Sequence, residues 1–150
     1  MKRLLPLFLV FLLAGCASVN VPNYIQDKHP YKKSFYGNFD DILDATKKTL
    51  EEYGWRIAST SAPSVFERAE GSEHTPGQQI LLFTELKQTS FFVGTKYSRI
   101  NVYLREGTDN STEVEIRYVT VNSMSVKNFY KYRSDHFVER VFKRIDQLLK

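Results

Sequence analysis

Cys16 is the single thiol of this 150-residue chain, and as a thiolate it is a group that can be alkylated. What precedes it gives that chemistry a setting. Lys2 and Arg3 form a positive start, Leu4 to Leu13 is an apolar run interrupted by Pro6, and the small residues Ala14 and Gly15 lead into Cys16. This is the layout of a secretory signal with a cysteine at its exit. The run is too short to span a bilayer, which takes about 20 apolar residues. Other chemistry is sparse. His29, His74 and His136 are too far apart in sequence for a local metal motif, so no metal site is expected. Glu67, Glu70, Glu73 and His74 cluster, but Gly71, Pro76 and Gly77 argue that they sit on a solvated loop. There is no Gly-x-Ser-x-Gly elbow, no phosphate loop, and no pairing of nucleophile with base or of two acids. The expectation is a non-enzymatic protein without a cofactor.

The Leu13-Ala14-Gly15-Cys16 end resembles the bacterial lipobox, the processing signal of lipoproteins. The resemblance implies that residues 1–15 are removed as a signal peptide. Cys16 would be thioether-linked to diacylglycerol, become residue one, and be N-acylated, for instance with palmitate. Each buried methylene contributes about 0.8 kcal/mol, so three chains would anchor the protein stably. In similar lipoproteins an Asp directly after the cysteine tends to retain the protein in the inner membrane. Ala17 stands there, which implies the outer membrane of a Gram-negative cell, with the protein facing the periplasm.

The signal also biases the charge. The chain has 21 Lys+Arg against 17 Asp+Glu, and removal of Lys2 and Arg3 leaves 19 against 17. A net of +2 gives no argument for nucleic acid as a partner. Residues 16–30 carry the lipidated cysteine and a short tether, broken by Pro22 and Pro30 and without periodicity. Fully extended it reaches at most about 45–50 Å. Tyr24 and Ile25 within it fit either packing on the domain or dipping into the membrane interface. Residues 31–150 then suffice for one domain with one core.

Within that domain, Tyr31 to Gly37 reads as a strand. Asn38 is a good N-cap, Asp40 and Asp41 fall in the first helical turn, and Phe39, Ile42, Leu43, Thr46, Leu50 and Tyr53 make one buried stripe ending at Gly54. Trp55 to Ser59 alternates as a strand, and Val65 to Ala69 reads as a second short one. Gln78 to Gln88 reads as one longer strand with Ile80, Leu82, Thr84 and Leu86 on one face. Ile100, Val102 and Leu104 alternate with Asn101, Tyr103 and Arg105. Val114, Ile116 and Tyr118 alternate with Glu113, Glu115 and Arg117. Pairing Leu104 with Val114 keeps both faces uniform and sets Arg105 against Glu113, whereas a slip of one mixes them. The polar face then reads as solvated cross-strand pairs. A final helix is expected from Lys127 to Leu149, with Phe137, Val138, Val141, Phe142, Ile145, Leu148 and Leu149 as its apolar stripe. The predicted class is α+β: one antiparallel sheet of about five strands, or six in the order β-α-β-β-β-β-β-α when the short Val65–Ala69 strand is counted, with two helices on one face.

This order resembles the helix-grip domains of the lipoprotein C subunit of the outer-membrane β-barrel assembly machinery, and many small periplasmic lipoproteins. The carriers are Phe39-Asp40-Asp41-Ile42-Leu43-Asp44-Ala45, Tyr53-Gly54-Trp55-Arg56-Ile57 and Thr112-Glu113-Val114-Glu115-Ile116. They mark a fold and no active site. The chain departs from that subunit in having a short tether and one domain. Two surface features stand out beside the resemblance. Phe91 and Phe92 are adjacent, so one strand cannot point both at the same core, and one of them is expected at a partner-binding surface. The final helix is basic overall, and Arg140, Lys143 and Arg144 offer a face toward an anionic membrane. The resulting expectation is a non-enzymatic outer-membrane lipoprotein. It binds another envelope protein, or assists assembly, through the sheet's outer face, a strand edge or the Phe91–Phe92 loop. The alternative is a binder of a small hydrophobic ligand between sheet and C-terminal helix, for which Phe129, Tyr130, Phe137 and Phe142 would have to leave room.

Overall fold

The computed structural model describes residues 19–66, 77–92, 94–124 and 129–150. Cys16 and the Glu67, Glu70, Glu73 and His74 cluster lie outside them. Six strands form one antiparallel sheet: β1 (Tyr31–Tyr36), β2 (Ile57–Ser61), β3 (Gln79–Thr84), β4 (Lys87–Phe91), β5 (Gly94–Glu106) and β6 (Ser111–Asn122). The helices are α1 (Phe39–Glu52) and α2 (Asp135–Leu148). Strand order is β1-β6-β5-β3-β2, and β4 pairs with the far half of β5 beside β3. The α+β class, with its single antiparallel sheet and two helices, is as the alternation of apolar residues predicts.

The β5–β6 register follows the uniform-face rule. Leu104 faces Val114, Val102 faces Ile116, Ile100 faces Tyr118 and Arg105 faces Glu113. Both helices cover that apolar face. Ile42 and Leu50 of α1 and Val138, Val141 and Ile145 of α2 are buried against Ile100, Val102, Leu104, Val114 and Ile116. Asn38 caps α1 by accepting the Asp40 N–H at 2.9 Å. Gly54 ends it at φ +74°, a left-handed turn that glycine tolerates best. The Trp55 ring meets Tyr118 and Phe137, which closes one corner of the core.

The expected strand over Gln78 to Gln88 is two strands. The β3–β5 ladder stops at Phe83 opposite Asn101, and β4 rejoins β5 with Lys87 opposite Ser98. Three residues on one side then span two on the other, which is a bulge. Thr84 holds the break, since its hydroxyl both donates to the Ile100 carbonyl and accepts the Ile100 N–H, each at 3.0 Å. The extra residue shifts the alternation, so Leu86 leaves the apolar stripe and is partly exposed. Val65 closes a 3₁₀ turn, Pro63–Val65, where a strand was expected, because Pro63 sets a helical φ at its first position. Phe66 caps that turn, and residues 67–69 of the expected strand lie outside the described residues.

The last helix starts later than its composition suggests. Residues 129–134 precede the helix, and within them Lys131 bridges to β6, exchanging backbone bonds of 2.8 and 2.9 Å with Thr120. Phe129, Tyr130, Lys131 and Tyr132 are rich in aromatics, which suit extended backbone. The helix opens at Ser134, whose N–H donates to the Tyr31 hydroxyl at 2.8 Å.

The larger departure concerns the sheet's second face. Asn101, Tyr103, Glu115, Arg117, Val119 and Val121 on it are buried. Of the two fates open to Tyr24 and Ile25 in the aperiodic N-terminal segment, packing on the domain is the one observed: Tyr24 packs on Leu81, Phe83 and Tyr103, and the Phe66 ring stacks on it at 5.2 Å. Ile25 is completely buried. The folded unit therefore begins before Tyr31.

Candidate functional site

The segment from Asn20 to His29 acts as a strap because side chains of the sheet satisfy its backbone. A chain crossing a sheet face cannot join the ladder, so its N–H and C=O groups need other partners. Asn101 supplies two: its Oδ1 accepts the Ile25 N–H at 2.7 Å and its Nδ2 donates to the Asn23 carbonyl at 3.1 Å. Arg99 donates through Nη1 to the Val21 and Pro22 carbonyls at 3.2 and 3.0 Å. Burial under the strap pulls the Arg99 guanidinium below its ordinary pKa. Arg117 donates to the Tyr24 hydroxyl at 2.7 Å and forms a 2.6 Å ion pair with Glu115, which also meets Lys32 at 3.1 Å. These polar residues are thus the clamp on the strap, where the alternation alone suggested solvated pairs. At the strap's ends, Tyr130 donates to the Asn20 carbonyl at 2.6 Å and Arg133 to the His29 carbonyl at 2.9 Å.

The Phe91–Phe92 pair sits at the tip of the β4–β5 hairpin. Phe91 is 59% exposed and Phe92 fully exposed, so both rings face solvent where one was expected to. The hairpin turns at Gly94, opposite Phe91, with φ +133°. A Cβ there would lie 2.6 Å from Cγ of Met124, so the turn is pressed against the end of β6. The Ser123 N–H donates to the Thr95 carbonyl at 2.8 Å and fixes that contact. Met124 and Phe129 are 66% and 71% exposed in the same region. Phe129 lies two residues from Lys131, which pairs with Thr120 near the end of β6. The tip thereby gathers four exposed apolar side chains from three segments. Adjacent phenylalanines are a signal a sequence can carry, whereas the contributions of Met124 and Phe129 come only with the fold.

Of the basic residues expected to face a membrane, Arg140 and Lys143 are exposed and Arg144 is half-buried. Within Asp135–Leu148, Arg140, Lys143 and Arg144 are matched in number by Asp135, Glu139 and Asp146, because Lys127, Lys131 and Arg133 precede the helix. Arg144 makes a two-point ion pair with Glu52 of α1 at 2.7 and 3.0 Å, holding the Glu52 carboxyl below its usual pKa through that hydrogen bond. Arg140 lies over the Tyr53 ring at 5.4 Å. These side chains join the two helices.

Between sheet and α2, Phe137 and Phe142 pack against the core, whereas Phe129 is exposed and Tyr130 reaches the strap. A groove of about 410 Å³ lies elsewhere, at the joint of β1, α1 and the end of α2, lined by Tyr36, Asp41, Asp44, Lys48 and Leu148 among others. Among the described residues no group of three or more His, Cys, Asp or Glu is placed to hold a metal ion. Among them, too, no helix is long and apolar enough to cross a membrane. No protein-family model matches the chain, and no curated protein matches it.

Proposed function

We propose that this chain is a non-enzymatic lipoprotein of a Gram-negative outer membrane. Its α+β domain binds another envelope protein, or assists assembly, at the periplasmic surface. The observation that carries the reading is the order of Lys2 and Arg3, the apolar run, Ala14-Gly15 and the lone Cys16. The strap adds a physical argument. Backbone groups are pinned from Asn20 onward, so the chain between Cys16 and Asn20 spans at most about 15 Å, against about 45–50 Å for a tether running to Pro30. An acylated Cys16 would hold the domain against its membrane in a restricted set of orientations.

The strap also narrows where a partner docks, since the sheet's outer face is occupied by the chain's own residues. Two surfaces remain from those expected. One is the edge of β2, which among the described residues pairs with β3 alone and exposes the uncharged Ala58, Ser59 and Thr60. An edge without charge accepts an added strand more readily than β1, which carries Lys32 and Lys33. The other, the Phe91–Phe92 tip, is exposed as well, and of the two the β2 edge is the one that suits a protein partner.

The anchor is tested by metabolic labelling with a palmitate analogue. The native chain takes label and fractionates with outer membranes, and Cys16→Ser takes none because serine offers no thiolate. Label retained on Cys16→Ser contradicts the assignment.

A further inference from the structure

We propose that the apolar tip formed by Phe91, Phe92, Met124 and Phe129 seats in the headgroup region of an anionic phospholipid bilayer. The inference rests on the lipoprotein reading for the protein's location, while the surface is argued from the structure. The first argument is where the N-terminal chain emerges. Asn20 is bonded to Tyr130, the neighbour of Phe129, so the strap starts at the tip end of the sheet. Val19 is three residues from Cys16, a span of about 10 Å at most. Acyl chains on Cys16 would therefore enter the bilayer beside the tip.

The second argument is charge. No Asp or Glu occurs from Leu86 to Arg105 or from Arg117 to Ser134. Lys96, paired with Thr89 and Asn122, and Lys131, paired with Thr120, are exposed just behind the apolar residues. The opposite end is acidic. Gly37 bonds to Asn110 there, bringing Asp40, Asp41 and Asp44 of α1 to the β5–β6 turn with Asp109, and Lys47, 3.9 Å from Asp44, and Lys48, beside Asp41 and Asp44, offset only two of these four charges. An anionic surface thus attracts one end and repels the other. Exposed apolar side chains with lysines behind them match an interfacial surface, where Phe and Leu side chains sink to the boundary between headgroups and acyl chains and ammonium groups reach the phosphates.

The test uses the purified acylated protein in vesicles of phosphatidylethanolamine and phosphatidylglycerol containing brominated lipid. Phe92→Trp places a reporter at the tip, and Tyr36→Trp places one at the far end, where Tyr36 is exposed and paired with Ser111. Trp55 is buried in the core and gives a constant background. The expected result is blue-shifted, quenched emission for Phe92→Trp and none of either for Tyr36→Trp, with quenching reduced when phosphatidylglycerol is omitted. Equal, water-like emission from both variants overturns the proposal. So does cross-linking of the tip to an envelope protein without lipid quenching, which would assign it to a protein partner. Palmitate labelling of the same samples separates the two readings. If label is absent, the anchor fails, and quenching of the unlabelled chain still decides the tip.

Discussion

Phe92 and Val141 mark opposite ends of what a single residue does in this molecule. Phe92 is fully exposed, so Phe92→Ser should move stability by no more than about 0.5 kcal/mol, and Phe91→Ser by little more. Val141 is fully buried between α2 and the sheet, so Val141→Asp puts an unpaired charge into the core and should unfold the domain. Arg140→Asp, one position away and exposed, should melt close to the native chain. Thermal melts of the four variants check the assignment, and equal losses at 140 and 141 would mean that the buried face of α2 is misplaced. A second prediction belongs to Glu52. Its carboxyl is held below the ordinary value by the hydrogen bond from Arg144. A depressed carboxyl stabilises the fold above its unfolded pKa, and the effect fades as pH falls through the folded value. Arg144→Ala should raise the Glu52 pKa and abolish that acid-side loss, measured by NMR titration of the Glu52 side chain. An unchanged titration would show that the pair is not formed in solution.

Elements were legible wherever a periodic pattern met one covered face. The α1 stripe, its Asn38 cap and the β5–β6 register all follow from spacing, because a one-residue slip would have put Glu113 opposite Leu104. Periodicity says nothing about segments that borrow their partners. The strap has no pattern of its own, since its backbone bonds go to Asn101, Arg99 and Arg117, and alternation in β5 and β6 shows two faces without showing what covers the second. The start of α2 was blurred by aromatics at 129, 130 and 132, although Ser134-Asp135 has the residue types of a helix N-terminus, with Asp135 in the first turn and no capping bond from the Ser134 side chain. The tip was half legible: the Phe91–Phe92 pair is visible in sequence, while its closure onto Met124 depends on the bulge at Thr84 and the turn at Gly94. The strap makes its own prediction. Ile25→Ala removes a fully buried side chain and should cost about 2–5 kcal/mol. Hydrogen exchange should then speed up at residue 25, whose N–H is held by Asn101, ahead of the β5–β6 ladder. Unchanged stability would mean that the strap is not docked.

At the scale of the whole molecule, one end of the sheet is apolar and basic, the other is acidic, and the strap starts at the first. That polarity gives a lipid anchor an orientation to enforce, and it depends on Cys16 being the modified N-terminus. The most direct measurement is the intact mass of the protein purified from envelopes in detergent, with fragmentation of its N-terminal peptide. The account predicts a chain that has lost Met1 to Gly15 and begins at Cys16 carrying a diacylglyceryl thioether and an amide-linked acyl chain. A chain that keeps Met1, or one with an unmodified Cys16, would contradict it.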